Sequence, residues 1–305
     1  MTRVLRFFLV VGILAVTLAV VGDARASAAP PVRYDLALGD SLSRGVQPNA
    51  RGVSLETNEG YAEQLFQIER RRIPGLRLVQ LGCPGETTGS MITGHGNADA
   101  GLFHCRPAGG SQLKAAERFL RAHHRRGEVA FVTIDIGAND VDGCAAPGVN
   151  LAACVAKGEA SIAADLPVIL DGIRHAAAAG TPLVGMTLYD PVLAAYFNAD
   201  ASVRSLVDVS IAVLEKVNAE IASADRAAGF RTADVAGAFE SYNLGHLVPF
   251  NGQMVPVNVV RVCSWTWACT PPPNGTTSPI GNIHANDNGY AVIAQAFAHA
   301  LGSLR

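Results

Sequence analysis

Four side-chain and main-chain groups in this chain have the chemistry that acyl transfer needs. A serine hydroxyl is a weak nucleophile and requires a base beside it. The oxyanion formed on attack requires donors already in place, commonly backbone N–H groups and an amide side chain. Ser41 stands in Gly39-Asp40-Ser41-Leu42, where a turn out of a strand exposes both its hydroxyl and its own N–H. Gly85, in the glycine-bearing turn 82–88, lets the main chain approach the same point because it has no side chain. Asn139, in Gly137-Ala138-Asn139-Asp140, offers an amide NH2, and His284 supplies an imidazole just ahead of a terminal helical stretch. This chemistry calls for neither metal nor cofactor. A zinc site finds no support, since no C-x-x-C pair occurs and His95, His104, His123 and His124 share no ligand spacing.

The elements that must carry these groups are readable from periodicity. Strand-like runs at 34–38, 76–81, 129–134, 182–189 and 230–235 alternate with helical spacing over 59–72, 112–126, 157–179, 202–228 and 288–304. Pro167 marks a kink or break in the third of these helices. The alternation predicts an α/β fold, three layers α/β/α, with a five-stranded parallel sheet covered on both faces. Ligands of such sheets bind beyond the carboxyl ends of the strands. Ser41, Gly85 and Asn139 each follow a strand, so their turns are expected on one rim. The stretch 241–282, rich in Pro, Gly, Asn and Thr, shows little periodicity and reads as loop.

Composition narrows the function classes. With 49% hydrophobic and only 16% charged residues in 305, the chain has the balance of a folded globular protein, not of disorder. A net charge of −2 leaves no electrostatic footprint for nucleic acid. Residues 1–29 read as a secretory signal, with Arg3 and Arg6 before the apolar run 7–21 and small residues at Ala24-Arg25-Ala26 and Ala26-Ser27-Ala28. The run is shorter than the ~20 residues that span a bilayer, so cleavage near Ala26 or Ala28 and export of a single domain, 30–305, are expected. In an oxidising compartment the six cysteines suggest disulfides. Proximity in sequence favours Cys83–Cys105, Cys144–Cys154 and Cys263–Cys269, although sequence alone does not fix connectivity.

Four blocks of the sequence resemble the SGNH (GDSL) hydrolases, serine esterases and lipases on a flavodoxin-like sheet. They are Gly39-Asp40-Ser41-Leu42-Ser43-Arg44-Gly45, the turn 82–88, Gly137-Ala138-Asn139-Asp140 and Ile283-His284-Ala285-Asn286-Asp287-Asn288-Gly289-Tyr290. The cysteine-bearing loops look closest to the secreted actinobacterial esterase and lipase branch. The resemblance implies Ser41 as nucleophile, His284 as base, and Gly85, Asn139 and the Ser41 N–H as oxyanion donors. A small-molecule or lipid ester as substrate, transient contact with a lipid surface, and a monomer are also expected.

One position departs from the family pattern. The usual block carries an acid three residues before the histidine, and here that residue is Gly281. No Asp or Glu lies between Glu240 and His284. A Ser41–His284 dyad oriented by the main-chain carbonyl of Gly281 is therefore expected, as in the secreted branch. Asp287 is the rival orienter, against its plainer role as an acid in a helix's first turn. Asp40 reads as a brace for the turn. Trp265 and Trp267 either pack the third disulfide loop or line an acyl pocket. His95, His104 and His246 read as loop residues, and the cluster 70–72 as a solvated helix end. Two other readings stand beside the esterase: a carbohydrate acetylesterase of the same fold, and a secreted binding module without catalysis.

Overall fold

The computed structural model describes residues 30–302, except 98, 104, 106–109, 147 and 272–279. The signal segment 1–29 and His104 fall outside the described residues. Residues 31–305 form one compact unit.

Five parallel strands make the central sheet: β1 (Arg33–Gly39), β2 (Leu76–Gln80), β3 (Val129–Asp135), β4 (Leu183–Met186) and β5 (Arg231–Ala233). Their spatial order is β2-β1-β3-β4-β5, so the chain reverses its winding direction between β1 and β3. That is the flavodoxin-like order, whose switch point opens a crevice at the strand ends. Every residue of β3 is buried, as expected for a strand covered on both faces.

Six main helices flank the sheet: α1 (Tyr61–Glu69), α2 (Gln112–Ala122), α3 (Leu151–Ala176), α4 (Leu206–Ala227), α5 (Val257–Trp265) and α6 (Asp287–Leu301). Helices α1 and α6 pack together, with Tyr61 stacked on Phe297 at 4.7 Å. Helices α2, α3 and α4 form a second row, each against the next. The core between these layers is made by Leu36, Leu38, Phe131, Val132, Ile134 and Val184 among others, all 2% exposed or less.

Three elements differ from the sequence expectations. Helix α3 begins at Leu151, six residues earlier than its apolar pattern suggests, because Asn150 caps it by accepting from Ala153 N at 3.1 Å. Pro167 lies inside this helix without ending it. The segment 241–282 is not all loop, since it holds an antiparallel hairpin (Leu247–Phe250 with Gln253–Pro256) and α5. Val257, Val259 and Val262 of α5 are buried, a short apolar face that the surrounding Pro and Asn residues obscure.

Candidate active site

Register sets the first turn. Gly39 at the end of β1 pairs with Asp135 at the end of β3. A Cβ at Gly39, whose φ is +129°, would lie 2.0 Å from Asp135 Oδ1, so only glycine fits this crossing. Beyond it the chain folds into a tight turn in which Val46 N donates to Ser41 O at 3.1 Å. Ser41, 8% exposed, ends its hydroxyl 3.4 Å from Asp40 Oδ1. The same Oδ1 accepts from Leu42 N at 3.0 Å, which gives Asp40 the bracing role. Among the described residues the Ser41 N–H meets no acceptor.

A buried acid pair lies behind this turn. Asp135 Oδ2 accepts from Asp40 N at 3.3 Å, and Tyr61 Oη donates to Asp135 Oδ1 at 2.6 Å. Burial pushes both carboxyls above the usual Asp range, Asp135 well above it, and the charge of Asp40 raises Asp135 further.

Gln112 ties the first turn to the second. Its side-chain amide meets the main chain of Gly39 twice, accepting from Gly39 N at 2.7 Å and donating to Gly39 O at 2.9 Å. It also donates to Glu86 Oε2 at 3.0 Å. Gly39 O accepts from Cys83 N as well, at 3.0 Å. Gly85 sits in this second turn at φ +76°, and its N–H meets no acceptor among the described residues. Gly85 does not itself line the cleft described below.

The third turn starts at Gly137 and carries Asn139 in a 3-10 turn, Ala138–Asp140. Asn139 Nδ2 donates to Asp40 Oδ2 at 3.1 Å and to Glu86 O at 3.0 Å, bridging the other two turns. Both of its amide hydrogens are thus engaged. Asp140 completes the link by accepting from Thr88 N at 3.0 Å.

His284 arrives on a segment held against the end of α5. Trp267 N donates to His284 O at 3.0 Å, Asn286 N to Trp265 O at 2.9 Å, and Thr266 and Ala285 form an antiparallel bridge. The disulfide Cys263–Cys269 closes this same loop. Asn286 then caps α6 by accepting from Gly289 N at 3.1 Å.

The partner of the imidazole is a correction to the sequence reading. His284 Nδ1 lies 2.7 Å from Asn282 Oδ1, and the Gly281 carbonyl makes no hydrogen bond to the ring. Asn282 Oδ1 also accepts from His284 N at 3.1 Å, while its Nδ2 donates to Ser54 Oγ at 3.0 Å. These contacts fix which end of the amide faces the ring. Nδ1 then carries the proton, and Nε2 is left as the basic nitrogen. Gly281 has a different reason to be glycine: a Cβ there would meet the carbonyls of Thr270, Trp267 and Ala268 at 2.5–2.9 Å. No acidic side chain can occupy that position. Asp287 is engaged elsewhere, with Oδ1 accepting from Gln47 Nε2 at 2.7 Å in the first turn of α6. With no carboxylate acting on it, burial lowers the His284 pKa to about 4.

Ser41, Asn139 and His284 line one cleft of about 960 Å3, its open mouth included. Ser41 and His284 share it without a direct hydrogen bond. The remaining wall is largely apolar: Val141 and Cys144 after β3, Leu188 after β4, Leu151 and Val155 of α3, and Leu206, Val213, Leu214 and Val217 of α4. Its titratable members besides the imidazole are Asp40, Asp142 and Asp190, with no Lys or Arg, and burial raises Asp142 to about 8. Burial raises Asp190 to about 6, and Ser210 Oγ donates to it at 2.7 Å.

Trp265 and Trp267 do not line the cleft. Trp265 packs edge-on to Phe239 at 5.1 Å and under Arg261, and Trp267 Nε1 donates to Gln47 Oε1 at 3.1 Å. His95 and His246 also lie outside it. Sequence reasoning missed Asn282 as the ring's partner, Gln112, and the Asp135–Tyr61 pair. The spacing Asn-x-His was the available sign of the first, since an Asn side chain readily accepts from the N–H two residues on.

Among solved structures the chain is similar to an extracellular lipase from Streptomyces rimosus, at 21% identity and a TM-score of 0.54 over 88% of this chain and 100% of that one. It is also similar to LAE5, an alpha/beta hydrolase enzyme from the metagenome of Lake Arreo in Spain, at 19% identity and a TM-score of 0.50 over 90% of this chain and 98% of that one. Among curated proteins none matches. The profile of one sequence family extends over residues 37–292, from β1 into α6 and so across all four site-bearing segments. On that match the chain belongs to the GDSL-like lipase/acylhydrolase family.

Proposed function

We propose that the protein is an exported carboxylic-ester hydrolase that works through a Ser41–His284 dyad and favours aliphatic acyl groups. The observation that carries this reading is the apolar cleft that a strand-end serine shares with an imidazole whose Nδ1 is already committed to Asn282 Oδ1. In the mechanism, Nε2 takes the Ser41 proton as Oγ attacks the ester carbonyl. The oxyanion is met by the Ser41 and Gly85 N–H groups. Asn139 joins them when substrate draws one of its hydrogens from Glu86 O or Asp40. The imidazolium then protonates the departing alcohol, and the neutral ring activates water to release the acid from the acyl-enzyme.

The imidazolium is stabilised by an amide oxygen in place of a carboxylate. The three disulfides, Cys83–Cys105, Cys144–Cys154 and Cys263–Cys269, support an extracellular destination. No helix among the described residues is long and apolar enough to cross a membrane. The valine- and leucine-rich wall supports fatty esters over acetylated sugars, whose hydroxyls would face few polar partners there.

Ser41→Ala is expected to lower kcat on p-nitrophenyl butyrate by about 10^4-fold or more. It is also expected to abolish stoichiometric labelling by a serine-directed fluorophosphonate. Wild-type protein that neither turns over the ester nor takes the label would favour the binding module instead. Preference for acetylated xylan over aliphatic esters would favour the acetylesterase.

A further inference from the structure

The cleft has a thin far wall. Val155 of α3 and Val209 and Val213 of α4 line it, and the same three valines line a separate groove on the molecular surface between these helices. Helix geometry explains the sharing. On α3, Leu151 and Val155 face the cleft while Ala152, Ala156 and Glu159 face the groove. On α4, Leu206, Ser210, Leu214 and Val217 face only the cleft, and Asp208, Ala212 and Lys216 only the groove. Val209 and Val213, four residues apart, stand on the boundary between these faces. Val209 is 42% exposed although it also lines the interior. The wall at this point is therefore one side chain thick.

We propose that these three valines form a neck through which an acyl chain longer than the cleft passes from Ser41 to the surface groove. This rests on the ester-hydrolase reading and specifies its substrate class as long-chain aliphatic esters. The occupant follows from continuity: the groove meets the catalytic cleft at the shared valines and is lined by Ala152, Ala156 and Ala212. Alanine methyls leave room for a methylene chain and offer it no hydrogen bond. At the outer end Lys216 pairs with Glu159 at 3.2 Å, a polar margin where the apolar track stops.

The test compares kcat/KM for p-nitrophenyl butyrate, octanoate, laurate and palmitate in the wild type, Val209→Trp, Val209→Ala and Ala156→Phe. Val209 is half exposed, so tryptophan there can close the neck without entering the core, and Ala156→Phe blocks the groove beyond it from the opposite helix without touching the cleft. Wild type and Val209→Ala are expected to process palmitate. Both plugging variants are expected to lose about tenfold or more on palmitate and stay within about twofold on butyrate. A loss of equal size on every ester in both plugging variants would overturn the neck. So would wild-type protein that cleaves butyrate but not palmitate. Absence of butyrate turnover and of fluorophosphonate labelling in the wild type would instead remove the hydrolase reading, and this inference with it.

Discussion

The imidazole of His284 is governed by the group that faces Nδ1. An amide oxygen fixes the tautomer as well as a carboxylate does, but it carries no full charge to draw a proton onto the ring. Burial therefore acts unopposed and lowers the pKa to about 4. Because the unprotonated ring is the active form, kcat/KM is expected to rise as pH is raised through about 4 and then stay level toward neutrality. Asn282→Asp sets an anion against Nδ1 and favours the cation, so the acid limb should move up to about pH 5–6. A pH profile of butyrate hydrolysis for both proteins checks this. An unmoved limb in the variant would mean that Asn282 does not hold the ring during turnover. Asn282 was visible in the sequence beside His284, but its role was not. Choosing between the Gly281 carbonyl and the Asn282 side chain requires knowing the path of the main chain, which is fixed by pairing with residues 265–268.

At the scale of elements, three strand ends are joined by hydrogen bonds that do not belong to the sheet. Gln112 extends the ladder of β1 by reading both main-chain groups of Gly39, then reaches Glu86 in the next turn. Gln112→Leu would leave Gly39 N–H and the Glu86 carboxyl buried without these partners. An unmet buried group costs about 1–3 kcal/mol, so a loss of about 2–4 kcal/mol in urea unfolding is expected. Turnover should fall further than stability accounts for, because the Ser41 and Gly85 turns lose their shared anchor. Gln112 carried no sequence signal, since as the first residue of an amphipathic helix it looks like any polar N-terminal position. The strands themselves were legible because β-branched and apolar runs bounded by glycine leave few alternatives, as at 129–134. Helix α5 was not, because its short buried face sits in a stretch whose composition resembles a loop.

Across the whole molecule, the disulfides sit where loops carry function rather than within the sheet. Cys83 opens the Gly85 turn, Cys144–Cys154 ties the exit from β3 to the start of α3 at the cleft, and Cys263–Cys269 closes the loop that pairs with His284. Each bridge is expected to contribute about 2–4 kcal/mol. For a chain of this size, replacing Cys263 and Cys269 together by serine should lower the thermal midpoint by about 3–7 °C. Calorimetry with an activity assay at 25 °C checks both parts. A fall in butyrate turnover well below the melting range is expected, because the base loses the support of its own loop.

The sequence by itself determined the alternation of strands and helices, the parallel sheet, and the rim on which Ser41, Gly85 and Asn139 follow their strands. Those features arise from local periodicity and from glycines at turns, which are written in neighbouring residues. Only the tertiary structure decided what stands against Nδ1 of His284, which side chains brace the nucleophile's turn, and which helix faces make the apolar cleft and its thin valine wall. Each of those depends on residues tens to hundreds of positions apart, brought together by packing that no local pattern encodes.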